Sequence, residues 1–266
     1  MNLQEITVYI IALNGKPRNA NLLKQIRTIF TENQIEIVDA ITPNQMDQDY
    51  LLEVSGLGST VLGRQISKVE IAVTQSHRKC YELAITKNSA MALIFEDDVD
   101  IIDTDKLQKT LVEHKDSVLP VISTLYTPMW GIWKYSLENF WAVIPPAYAC
   151  SYLINLSAMQ IALENESIGL ADWPIWSEKI YFQLVVNDVI NQINTESTIE
   201  KFRRLSIEDR MKFSLFYFFR ALHALGTKTY LLQRIYYPYL WKKYLIKEVK
   251  AGNRKKTDNS SIFLIG

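Results

Sequence analysis

"ALIFEDDVDII", residues 92–102, sets four apolar residues, Ala92, Leu93, Ile94 and Phe95, directly before Glu96, Asp97 and Asp98. A short run that is apolar on both faces is the pattern of a strand inside a covered sheet, not of a half-exposed one. Three acids at its carboxyl end repel one another unless something positive stands among them. In open α/β sheets ligands bind beyond the carboxyl ends of the strands. The stretch therefore predicts both a central strand and a site at its end.

Reading outward, "EITVYIIAL" (5–13) is a second strand with two apolar faces, closed by the turn signal Asn14-Gly15. Pro17 precedes a helical segment from about Asn19 to Asn33, and "IEIVDA" (35–40) follows as a strand with Asp39 near its end. Strand, helix and strand in so few residues predict a βαβ unit and a parallel pair. Residues 42–63 are polar, contain "GLGST" and read as a loop. In "SKVEIAVTQSHRKCYELAITKN" (67–88), Ser67 and Glu70 have capping-box spacing, which marks a helix start. Val69, Val73, Ser76, Cys80 and Leu83 share one low-polarity stripe of that helix; Glu70, Thr74, His77 and Tyr81 share another. The fold class expected is α/β, an open and mostly parallel Rossmann-like sheet flanked by helices.

The 266 residues, 48% hydrophobic, suffice for a full core. No apolar run reaches the length of a transmembrane helix. "MNLQEITVYI" lacks the basic start and cleavage site of a signal peptide, and Cys80 and Cys150 do not make a disulfide framework, so a cytoplasmic protein is expected. The net charge of zero conceals two unlike parts. Residues 1–199 hold 14 Lys+Arg against 24 Asp+Glu, and residues 200–266 hold 15 against 5. The basic part is also aromatic, with "RMKFSLFYFFRALHALG" and "YLLQRIYYPYLWKKYLIKEVK". Two units follow: 1–199 as the α/β domain that carries the candidate site, and 200–266 as a helical extension. The extension either packs on the acidic domain or meets an anionic membrane surface, at the inner face of the cytoplasmic membrane; no nucleic acid partner is expected.

Carboxylates at a strand end suit a hard divalent cation, Mn²⁺ or Mg²⁺, whose remaining ligands come from water and a substrate diphosphate. Asn14 and Arg18 at the end of the first strand are candidate nucleotide contacts, and Asp39 a candidate for base or ribose. His77 either reaches a diphosphate, supports Asp97 or is structural. Arg78 either counters phosphate charge or pairs with Glu82 one turn on.

The order "VYIIALN", "EIVDAI", "EIAVTQSHRKCYE", "ALIFEDDV" resembles glycosyltransferase family 25, the lipopolysaccharide galactosyltransferases and their collagen-modifying relatives. "AYACSYLINLSAM" (147–159) resembles the family's later strand-to-helix signature. "GKPR" after Asn14, Val73 and Phe95 depart from the family's usual residues and leave donor and acceptor open. The resemblance implies a GT-A fold, a metal-dependent inverting transfer from a UDP-sugar, with UDP-galactose foremost, and a glycan or glycolipid acceptor. It also implies Asp98 as metal ligand, Asp97 on the ribose or sharing the metal, and Glu96 orienting the pair. Inversion needs a general base from a later segment. "GLADWPIW" (169–176) offers Asp172 between aromatic neighbours, with Glu178, Asp188 or a helix-capping role for Asp172 as the alternatives. Trp130, Trp173 and Trp176 are the candidate acceptor platforms. Two other classes compete: a non-catalytic glycan-binding protein that keeps the fold, and a phosphohydrolase. The latter usually wants histidine ligands, and His77, His114 and His223 lie far apart.

Overall fold

The computed structural model describes residues 3–62, 66–114, 119–125, 139–142, 149–165, 169–171, 173–174, 179–185 and 189–193. In chain order these form β1 (Ile6–Ala12), α1 (Ala20–Ile26), β2 (Ile35–Asp39), α2 (Gln48–Leu62), α3 (Lys68–Thr86), β3 (Met91–Glu96), β4 (Val99–Ile101), α4 (Thr104–His114) and β5 (Val121–Thr124). They continue with β6 (Asn139–Ala142), β7 (Ser151–Asn155), α5 (Leu156–Glu164), β8 (Gly169–Leu170), β9 (Trp173–Pro174), β10 (Tyr181–Val185) and β11 (Ile190–Gln192).

The main sheet has the order β2-β1-β3-β7-β5-β10-β6. β2, β1 and β3 run parallel, β7 runs against both β3 and β5, β10 is parallel to β5, and β6 is antiparallel to β10. Five of the seven strands thus share one direction, and the α/β expectation holds. β3 lies between β1 and β7, which explains its unbroken apolar run. Met91, Leu93 and Phe95 face a layer with Leu22 and Ile26 of α1 and Leu107 and Leu111 of α4. Ala92 and Ile94 face Cys80, Tyr81 and Ala84 of α3 and Ala158, Met159 and Ala162 of α5. Leu93, Ile94 and Phe95 are wholly buried, each worth roughly 1.5–3 kcal/mol over exposure.

Two expectations change. Most of the stretch read as a loop is helical, because α2 occupies Gln48–Leu62. Asp47 accepts from the Tyr50 amide at 2.9 Å at the helix start, while Leu51 and Val54 bury against Ile66 and Ile71. Tertiary packing thus carries a helix whose glycines argue against it. The first helix is also shorter than 19–33 and stops at Ile26. Among the described residues, no helix is long and apolar enough to cross a membrane. The extension 200–266 lies outside the described residues.

Candidate functional site at the strand ends

The parallel register brings three strand ends together. Ala12 pairs with Asp39 across β1 and β2, and Ile11 pairs with Glu96 across β1 and β3. The Asn14-Gly15 turn between them takes positive φ at both residues, 52° and 64°, a conformation that Asn and Gly tolerate best. Asn14, Arg18 and Asp39 are exposed, Glu96 is half-buried, and Asp97 and Asp98 are buried.

Arg18 answers the buried acids. Its Nε donates to Asp97 Oδ1 at 2.7 Å, and its Nη2 lies 2.6 Å from that oxygen and 3.1 Å from Asp98 Oδ2. Gln192, at the end of β11, donates from Nε2 to Asp98 Oδ2 at 3.2 Å. Burial, and next the charge of Glu96, push the Asp98 carboxyl above the ordinary aspartate range, against the pull of Arg18 and Gln192. Burial works against the Arg18 charge, and the bond to Asp97 with the charges of Asp97, Asp98 and Glu96 more than offsets it.

Residues that no motif marked hold this cluster in place. Asn19 caps α1 by accepting from the Asn21 amide at 3.0 Å, and its own Nδ2 donates to the Val99 carbonyl at 2.6 Å. Its backbone N–H bonds the Asp97 carbonyl at 2.9 Å. Gln25 donates to the Ile101 carbonyl at 2.8 Å and accepts from the Ile101 amide at 3.1 Å. The start of α1 is therefore stitched to the segment that carries the acids.

The donor set itself, hard carboxylate oxygens, has the chemistry a divalent ion needs. A guanidinium already stands against both acids, however, and among the described residues no three His, Cys, Asp or Glu side chains converge to hold a metal. With Arg18 in place, the arrangement does not fit a resident ion.

On the β2 side of the sheet ends lies an open cleft of ≈ 490 Å³. Asp39 and Gln45 line it together with Tyr50 of α2 and Gln75 and Lys79 of α3. Gln75 donates from Nε2 to the Tyr50 hydroxyl at 2.7 Å, and Lys79 Nζ donates to the Asp39 carbonyl at 3.1 Å. Of these cleft residues the sequence reading found only Asp39.

The helix before the acids departs from expectation in an instructive way. Its fully buried stripe is the polar one, Glu70, Thr74, His77 and Tyr81, whereas Val69, Val73 and Leu83 are only partly covered. Glu70 and Ser67 form the predicted capping box, with the Ser67 amide at 3.0 Å from Glu70 Oε2. His77 is 2% exposed, its Nδ1 2.7 Å from the Tyr152 hydroxyl and its Nε2 3.5 Å from Glu96 Oε1. The acid that His77 faces is Glu96, not Asp97. Arg78 neither faces the acids nor pairs with Glu82. Its guanidinium donates to the carbonyls of Ala162, Leu163 and Asn165, closing the end of α5. Asp172, Trp130, Trp176, Glu178 and Asp188 lie outside the described residues, and Trp173 is described only as part of β9.

The sequence model of glycosyltransferase family 25 (LPS biosynthesis protein) matches residues 5–140, just over half of the chain. No curated protein matches the chain. Among solved structures it is similar to a CMP:2-keto-3-deoxy-manno-octonic acid synthetase complexed with CTP, at 14% identity and a TM-score of 0.39, over 74% of this chain and 96% of that one. It is also similar to S. aureus TarS 1-349, at 11% identity and a TM-score of 0.40, over 92% of this chain and 80% of that one.

Proposed function

The chain belongs to glycosyltransferase family 25, and on that premise we propose that it transfers a hexose, galactose from UDP-galactose foremost, to a lipopolysaccharide or other cell-surface glycan. The observation that carries this reading is the acid cluster at the end of β3, with the end of β1 between it and an open cleft beyond β2. The nucleoside takes the cleft, where Asp39, Tyr50, Gln75 and Lys79 offer both donors and acceptors to base and ribose. The diphosphate then runs along the end of β1 toward Asn14 and Arg18. Arg18, with a side chain 40% exposed, is the nearby cation able to leave the acids for phosphate oxygens. Asp97 and Asp98, relieved of Arg18, then face the donor from beneath. Uncovered in this way, the two carboxylates would be the groups to hold Mn²⁺ or Mg²⁺.

In the same reading the fold is of the GT-A kind and the transfer inverts the anomeric carbon. Asp172 takes the proton of the acceptor hydroxyl, beside Trp130, Trp173 and Trp176 as platforms for the acceptor sugar. The basic 200–266 extension holds the enzyme at an anionic membrane surface, each Lys or Arg near it adding about 1 kcal/mol.

One observation favours a second reading, a glycan-binding protein that has kept the fold without turnover: the acids are already answered from within the chain. Calorimetry with UDP and UDP-galactose, with and without Mn²⁺, followed by a transfer assay on a lipopolysaccharide acceptor, separates the two. Binding followed by transfer is expected. Glycan binding with no UDP binding under either condition would leave the second reading standing.

A further inference from the structure

The helix α3 buries a line of polar groups that ends on Glu96. Tyr81 and His77 lie one turn apart on α3, and Tyr152 of β7 sits on the neighbouring rung to β3, paired with Ile94. The Tyr81 and Tyr152 hydroxyls are 2.7 Å apart, and the Tyr152 hydroxyl is 2.7 Å from His77 Nδ1. The two rings of His77 and Tyr152 stack, with centroids 5.6 Å apart and planes 22° from parallel. On its other side, His77 Nε2 faces Glu96 Oε1 at 3.5 Å and has no other hydrogen-bond partner among the described residues.

The chemistry of the two ends fixes the direction of the chain. An ionised carboxylate only accepts hydrogen bonds, so the nitrogen facing it carries the proton. In a neutral imidazole, Nδ1 is then the acceptor, the Tyr152 hydroxyl donates to it, and the Tyr152 oxygen accepts from Tyr81. Burial raises both phenols above their ordinary value, so both keep their protons for this purpose. The distance of 3.5 Å is a few tenths longer than an ordinary N–H···O bond. Glu96 has a side chain 26% exposed and can close it, and a buried N–H left without an acceptor is costly.

We propose that the chain Tyr81–Tyr152–His77 locks His77 as its Nε2–H tautomer and so holds the Glu96 carboxylate in one orientation at the mouth of the sheet. His77 and Tyr152 are positioning residues for Glu96, not donor contacts. The consequence for donor binding rests on the transferase reading; the tautomer does not.

The test begins with the ring nitrogens. The chain has three histidines, so a sample labelled with ¹⁵N-histidine gives few resonances to assign. The expected result is a protonated Nε2 and an unprotonated, hydrogen-bonded Nδ1 for His77, with the Nδ1 resonance shifting in Tyr152→Phe. A protonated Nδ1 in the wild type, alone or with Nε2, overturns the proposal. Should Tyr152→Phe not fold, Tyr81→Phe takes its place: losing the donor to the Tyr152 oxygen is expected to shift the His77 Nδ1 resonance to a smaller degree, and an unmoved resonance overturns Tyr81's place in the chain.

UDP affinity then tests positioning. His77→Leu is expected to weaken it about tenfold, and His77→Gln, whose amide can both donate to Glu96 and accept from Tyr152, to stay within about threefold. In a Glu96→Ala background, Tyr152→Phe is expected to cause no further loss; an additive loss overturns action through Glu96. If the wild type binds no UDP, the transferase reading fails, and the ring nitrogens still decide the lock.

Discussion

Two regions on either side of the β1 end differ in almost every respect. Beyond β3, buried acids are matched by Arg18 and Gln192. Beyond β2, side chains from three elements line ≈ 490 Å³ of open space. The acid cluster is the conspicuous motif, and it is closed by its own neighbours. The cleft has no motif, and it is where a ligand finds room. Charge density in a sequence marks where a protein must supply compensation; a cavity marks where it has left compensation to a partner.

Removing Asp97 should expose this contrast most strongly. Asp97→Ala strands Arg18 beside Asp98 and is expected to cost about 2–3 kcal/mol, below the value for a wholly buried pair because Arg18 is partly in solvent. Urea denaturation measures it, and Lys79→Ala in the cleft should stay within about 0.5 kcal/mol of the wild type. A comparable loss from both would erase the distinction. The converse test is affinity. Lys79→Glu is expected to weaken UDP binding about tenfold, or about 1.4 kcal/mol, with unfolding unchanged. Unaltered affinity would move the nucleotide out of the cleft.

Arg18→Ala should open the closed region. With the guanidinium gone, Mn²⁺ binding in the absence of nucleotide is expected to tighten by about threefold or more in calorimetry. No change would mean that the acids lack a metal-binding geometry even when uncovered. The smallest effect is on pH dependence. The Asp98 carboxyl titrates higher folded than unfolded, so its contribution to stability is fully present below the ordinary aspartate range and is lost as pH rises through the raised value. Asp98→Asn should therefore melt higher than the wild type at neutral pH, and the advantage should vanish in acid. A constant difference across that window would assign the effect to packing.

Much of the frame was legible in the residues. β1, β2 and β3, the Asn14-Gly15 turn and the Ser67 capping box follow from local patterns, and local patterns survive folding. What could not be read depends on contacts between distant residues. Arg18 meets Asp97 across 79 positions, and Tyr152 meets His77 across 75. Within α3, the polar stripe was visible but its burial was not, because only the partners on β7 and β3 make a buried histidine tolerable. α2 was missed for a similar reason: its two glycines weaken the helix, and the apolar contacts that rescue it come from Ile66 and Ile71.

Consecutive residues His77 and Arg78 serve different masters, one the acid side of the sheet and the other the last turn of α5. Each residue added to an α-helix turns everything after it by about 100°. A single inserted or deleted residue between Ser67 and His77 would therefore withdraw both side chains at once. Length variation among natural relatives should accordingly gather in the stretch from 42 to 66 and spare 67–87. The register of α3, more than the identity of any one of its residues, is then what a viable variant has to keep.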